Sequence, residues 1–325
     1  MRFSDKKPAT VLRAVMSLAS HVRCPRVLAD SRTVRLVILT LGCLASVGVP
    51  GVAAAATNPA FASAPAVLGQ TGVVSITSAD VLSRWQTRVG ITTSLASGSG
   101  GNRFDLLLTD IASLDKVLAF RGSLALGLPG NVEAAVTVPY LRVEHGDETT
   151  DGIGSATVSA KLRVRDQSGW IPAAAVSASW IADTGDHVAV SSVSTNGYVA
   201  TVSAQLAVGD SEWAPTIVVE LGGFWRDLGR PESDSSLLYG VAGIVPFART
   251  GLLGDTGEYQ IIAEVAGTAT RRSVTQEPDD VSSLALGIRY LAEGWGVTVT
   301  GLLSKYELDG KKNSSGGLVE WHVTF

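Results

Sequence analysis

The chain has 325 residues, 35 of them glycine, with charged residues at 17% and a formal net charge of −4. A soluble protein of this size usually carries about 25% charged residues. The length suits one large barrel or two small domains, and the acidic balance excludes a nucleic-acid surface, which needs clustered lysine and arginine.

The first segment is basic and then apolar. Arg13, Arg23, Arg26, Arg32 and Arg35 precede the apolar core Leu36 to Val49. Pro50 breaks that core, and Ala53 to Ala56 offers small residues to a peptidase. The pattern predicts a secretory signal peptide over 1–56, cut near Ala56. An N-terminal membrane anchor is the alternative, and the core is short for it. Cys24 and Cys43 both lie in this segment, so the mature chain is expected to carry no disulfide or thiol chemistry. Residues 1–56 hold 8 of the 26 basic and 2 of the 30 acidic residues, leaving 18 and 28 and a net charge of −10.

After residue 56 no run of about 18 apolar residues occurs, so helical spans are not expected. From Arg84 onward, apolar and polar residues alternate between turn signals. Ser155 to Arg165 is the clearest case: Ala156, Val158, Ala160, Leu162 and Val164 share one face, and serine, threonine, lysine and arginine share the other. Strands are predicted at 84–96, 117–128, 132–143, 155–165, 170–181, 198–208, 213–226, 235–247, 257–271, 281–291, 295–307 and 316–325. Each is near the length that a tilted membrane strand needs. Residues 104–111 are a further candidate, assigned to the first outer loop because single-chain barrels have even strand numbers.

The connectors alternate in kind. Pro129 to Asn131, Asp166 to Gly169, Gly209 to Glu212 and Ala292 to Gly294 are short. Segments 144–154, 182–197, 226–234, 272–280 and 308–315 are longer and polar. Short turns belong to the periplasmic side and long loops to the outside. Trp85, Trp170, Trp213, Tyr259 and Trp295 stand at the starts of upward strands, and Trp180 and Trp225 stand near the outer ends of two. That is the register of two aromatic girdles.

The chain finishes on Leu318 to Phe325 (LVEWHVTF). Val319, Trp321, Val323 and Phe325 are apolar, while Glu320, His322 and Thr324 are polar. An open edge with bare aromatics would invite aggregation in a soluble sandwich, and a closed barrel removes the edge. Phe325 is expected at the periplasmic interface, closing the barrel against the first strand. The fold predicted is all-β, a transmembrane antiparallel up-and-down barrel of twelve strands in the bacterial outer membrane. Residues 57–83 read as a short periplasmic lead, part of which is able to plug the pore, and 84–325 as the barrel.

Several stretches resemble a known family. "AAVTVPYLRVEHGDETTDGIGSATVSAKLRVRD" (134–166), "ADTGDHVAV" (182–190), "YQIIAEVAG" (259–267) and "GIRYLAEGWGVTVTGLLSKY" (287–306) are similar to the outer-membrane barrels named for the MetA pathway of phenol degradation. The resemblance implies a channel or transporter for small molecules, hydrophobic or aromatic ones included. Ser155 stands where that family usually has Asp after Gly-x-Gly, so no role follows for that position. Trp321 and Phe325 also resemble the terminal signal read by the barrel assembly machinery.

No catalytic set is legible. His145, His187 and His322 are scattered without metal-ligand spacing, and no Gly-x-Ser-x-Gly elbow occurs. Gly98 to Gly101 lacks the context of a phosphate cradle. Asp147, Glu148 and Asp151 read as a solvated acidic loop. No cofactor, metal or enzymatic activity is expected. The alternation instead aims Arg121, Glu133, Lys161, Arg163, Glu220, Glu264, Arg289, Glu320 and His322 inward, where charges must be paired or wet. They are read either as a selectivity track or as ion pairs filling a narrow barrel. Glu220 and Glu264 are expected near the constriction with Lys161 or Arg163. The partners expected are outer-membrane lipid, a small-molecule solute and the assembly machinery. The competing reading is a closed structural or adhesive barrel that acts through its outer loops.

Overall fold

The computed structural model describes residues 64–97, 116–182, 184, 196–209, 211, 213–227, 233–252, 255–271, 280–307 and 311–325. The expected signal peptide and the candidate strand at 104–111 lie outside these residues. The described strands are β1 (Thr87–Ser97), β2 (Lys116–Leu128), β3 (Val132–His145), β4 (Glu148–Ile153), β5 (Thr157–Arg165), β6 (Ala173–Ile181) and β7 (Asn196–Ala207), followed by β8 (Thr216–Asp227), β9 (Ser233–Leu252), β10 (Asp255–Arg271), β11 (Asp280–Leu291), β12 (Trp295–Glu307) and β13 (Lys311–Thr324). Each pairs antiparallel with its neighbours, and β1 pairs with both β2 and β13. Twelve strands thereby close a ring, and β4 pairs with β3 alone.

Closure is a backbone matter at the chain's end. Thr87 and Phe325 exchange two main-chain hydrogen bonds, of 3.0 and 2.8 Å. Along β1 the faces separate cleanly: Ile91 is 50% exposed, while Arg88 is 1% and Thr92 7% exposed. The same period runs round the ring, with Leu221, Val241, Val265, Leu286, Val299 and Leu303 all more than half exposed on the outside. An apolar surface that continuous has no place in water, and it matches a lipid-facing belt. Among the described residues no helix is long and apolar enough to cross a membrane; the strands do so. The chain is a β-barrel of the bacterial outer-membrane type.

β4 was not anticipated within the 144–154 loop. It arises because Pro139 lacks the N–H that would continue the ladder between β3 and β5. That ladder ends at Thr137 and Thr157. Beyond it, Gly154 donates to the Pro139 carbonyl at 2.8 Å, and β3 continues against β4. β4 and β5 are thus one bent strand. Other bounds also moved. Trp85, Trp170 and Trp213 precede their strands, which start at Thr87, Ala173 and Thr216. Trp170 sits at the tip of a hairpin turn in which Ser168 and Ile171 exchange two 3.0 Å bonds, leaving the indole 76% exposed. Tyr259, Tyr290 and Trp295 pack as a row, with centroids 4.8 and 5.1 Å apart.

Candidate functional site

The described part of the lead lies inside the barrel, not beneath it. Residues 64–80 are all buried. They fold on themselves through tight turns: Ala66 N donates to Gln70 O at 2.6 Å, Val67 N to Val74 O at 3.0 Å and Val73 N to Ile76 O at 2.9 Å. Gly69, at φ +80, supplies the left-handed corner. A side chain there would also meet the Thr137 hydroxyl at 2.5 Å, so the corner presses directly on β3. These turns satisfy only part of the segment's main chain. The rest must find partners in the wall.

Three wall glutamates supply them, each in the same way. The Thr71 N–H (2.7 Å) and hydroxyl (2.6 Å) both donate to Glu133, which also accepts from Leu82 N at 2.9 Å. The Ser75 N–H and hydroxyl both donate to Glu264, joined by Val74 N at 3.0 Å and Ile76 N at 3.4 Å. The Thr77 N–H (2.9 Å) and hydroxyl both donate to Glu220. A β-hydroxyl residue beside a carboxylate offers two donors on one residue, its N–H and its hydroxyl, which the carboxylate oxygens accept with little strain.

Wall cations take the segment's carbonyls. Lys161 Nζ donates to Thr71 O at 2.8 Å, Arg88 Nη2 to Gly69 O at 2.9 Å, and Arg289 to Gly72 O (3.4 Å) and Val73 O. Glu133 also forms ion pairs with Lys161 (3.8 Å) and Arg88 (3.9 Å). Nearer the periplasmic rim, Asp80 accepts from Gln205 at 2.7 Å and pairs with Arg163 at 3.9 Å; Arg163 also binds Asp166 at 2.8 Å. The segment's apolar tip, Val73, Val74 and Ile76, packs with Val218, Leu238 and Ala242 of the wall. Ile76 fits against Gly240, where a Cβ would lie 2.5 Å from its Cδ1.

The junction with β1 is a strained elbow. Trp85 has φ 66, a conformation that bulky side chains rarely adopt. Its N–H donates to Gly127 O at 2.7 Å, and Gly127 N donates to Gln86 O at 2.9 Å. Gly127 is needed there because an added Cβ would lie 1.9 Å from Ser83 O.

The residues expected to face inward divide into groups. Glu133, Lys161, Glu220, Glu264 and Arg289 are buried and converge on the segment. Arg163 stands apart, at the rim. Arg121 is buried and donates to Ser94 at 3.0 Å. Glu320 and His322 face each other at 3.1 Å. Glu220 and Glu264 accept hydrogen bonds from residues 74–77. On the outer face, Trp321 and Phe325 are exposed. His187 lies outside the described residues. Arg88 was overlooked, although it alternates with Val89 and Ile91. So was the run Thr71, Ser75, Thr77, whose meaning appears only opposite the glutamates.

No protein-family profile and no curated protein matches the sequence. Among solved structures the chain is similar to the COG4313 outer membrane channel from Pseudomonas putida F1, with a TM-score of 0.51 and 14% identity over 78% of this chain and 100% of that one. It is also similar to the KdgM porin in complex with disordered oligogalacturonate (TM-score 0.41, 11% identity, 73% of this chain and 99% of that one). A third is the beta domain of the Bordetella autotransporter BrkA (TM-score 0.46, 10% identity, 75% and 100%). These likenesses concern the fold.

Proposed function

We propose that the chain is an outer-membrane channel for small molecules, held closed by its own residues 64–82. The observation that carries this reading is where the buried charges go. Glu133, Glu220, Glu264, Lys161, Arg88 and Arg289 hold the segment by hydrogen bonds. Hydrogen bonds of this kind exchange for water at a modest net difference, about 1.5–3 kcal/mol each. A wall built only to be filled would place apolar side chains there, since a buried ion set is no more stable than a packed apolar one. The charged wall is suited to being wet when the segment leaves.

The solute class follows from the rest of the lumen. Ile181, Val199, Phe224, Leu238 and Leu302 are inward-facing and lie toward the long-loop ends of their strands. An apolar collar outside a charged floor suits hydrophobic or aromatic solutes, as the phenol-pathway resemblance implies. We assign the signal peptide to 1–56, and the assembly signal to Trp321 and Phe325. Single-channel conductance of the refolded protein tests the reading: salt-dependent current steps are expected. The filled lumen favours one other reading, a closed structural barrel, and silence from folded protein in every variant would establish that instead.

A further inference from the structure

We infer that the lumen is a peptide-binding site, whose resident ligand is Thr71–Thr77 and whose second ligand class is free peptide with the same hydroxyl pattern. This rests on the segment being able to leave the barrel. The recognition is of main chain first: wall carboxylates take the N–H groups of residues 71, 74, 75, 76, 77 and 82, and wall cations take the carbonyls of 69, 71, 72, 73 and 78. Main-chain capture of this density is how proteins bind peptides rather than how they fill a core.

Sequence is read at a second level. Each of three carboxylates also takes a hydroxyl, from Thr71, Ser75 and Thr77. Between them, Val73, Val74 and Ile76 enter apolar niches on the wall. The segment brings a single charge, Asp80, to meet Arg163 and Gln205. The class of ligand is therefore a nearly neutral peptide with hydroxyl residues at i, i+4 and i+6 and aliphatic residues between. A tethered copy holds the site at an effective concentration of roughly millimolar, so a free peptide competes only when the tethered copy is weakened.

The test uses the full chain with C24S and C43S. T71V/S75A/T77V removes the three hydroxyls and leaves the wall intact. V73C labelling by a water-soluble maleimide reports whether the segment is seated, and heat-modifiable gel mobility reports folding. A fluorescent peptide of residues 64–82 is then titrated in, with anisotropy and bilayer current read separately. The expected result is rapid V73C labelling in the triple variant, saturable binding of the peptide below about millimolar, and no binding of a scrambled peptide. E133Q/E220Q/E264Q in the same chain should weaken binding at least tenfold. Failure of the peptide to bind, equal binding of the scrambled peptide, or a triple variant whose segment stays as protected as wild type would each overturn the inference. Binding without current in any variant would instead sink the channel and leave the peptide site standing.

Discussion

Ser75 meets Glu264 twice, through its N–H at 3.0 Å and through its hydroxyl. The contact joins positions 189 residues apart in sequence and ties the tip of the inserted segment to the middle of β10. Thr71 repeats the grip on Glu133 and Thr77 on Glu220.

Glu264→Gln keeps the shape but leaves one oxygen as acceptor and puts an NH2 toward donors. Loss of one charge-assisted bond, about 1.5–3 kcal/mol, shifts the closed-to-open ratio by roughly 10- to 150-fold. Single-channel open probability should rise by that order. The double variant E220Q/E264Q should also shift reversal potentials away from cations, and an unchanged selectivity would remove both residues from the conduction path.

Gly127→Ala places a methyl group where Ser83 O already sits at 1.9 Å. The elbow must move, and the segment's seating with it. The midpoint of heat-modifiable gel mobility should fall by several degrees, a loss on the order of 1–3 kcal/mol. An unaltered midpoint would show that the elbow is slack.

Val265→Arg tests the membrane orientation. Val265 lies in mid-β10, 52% exposed and outward, one residue from the inward Glu264. Arginine facing lipid at mid-depth destabilises a barrel by about 2–4 kcal/mol. Urea titration of folding into vesicles should show that loss. A neutral result would place the face in water.

Much of this was legible in the sequence because a two-residue period leaves no freedom: once Val265 faces lipid, Glu264 faces the lumen. The twelve ring strands, the short turns and the inward set followed from that period. β4 did not, since Pro139 interrupts one ladder and starts another without changing the alternation. The lead was legible only as a segment able to plug, because alternation says nothing about a compact knot with its own turns. The partners of Glu133, Glu220 and Glu264 were hidden for the same reason: Thr71, Ser75 and Thr77 are ordinary residues until the fold sets each beside a carboxylate.

The central claim is that residues 64–82 close the lumen and can leave it. Ile76 and Gly240 offer a lock, because a Cβ at Gly240 lies 2.5 Å from Ile76 Cδ1 and 2.8 Å from its Cγ1, and replacing both brings two thiols within reach. In a C24S/C43S chain, I76C/G240C is oxidised, folded into a planar bilayer and recorded before and after reductant. The account predicts silence when oxidised and salt-dependent steps after reduction, matching the parent chain. Equal current in both states would contradict it, because the segment would then not be what closes the barrel.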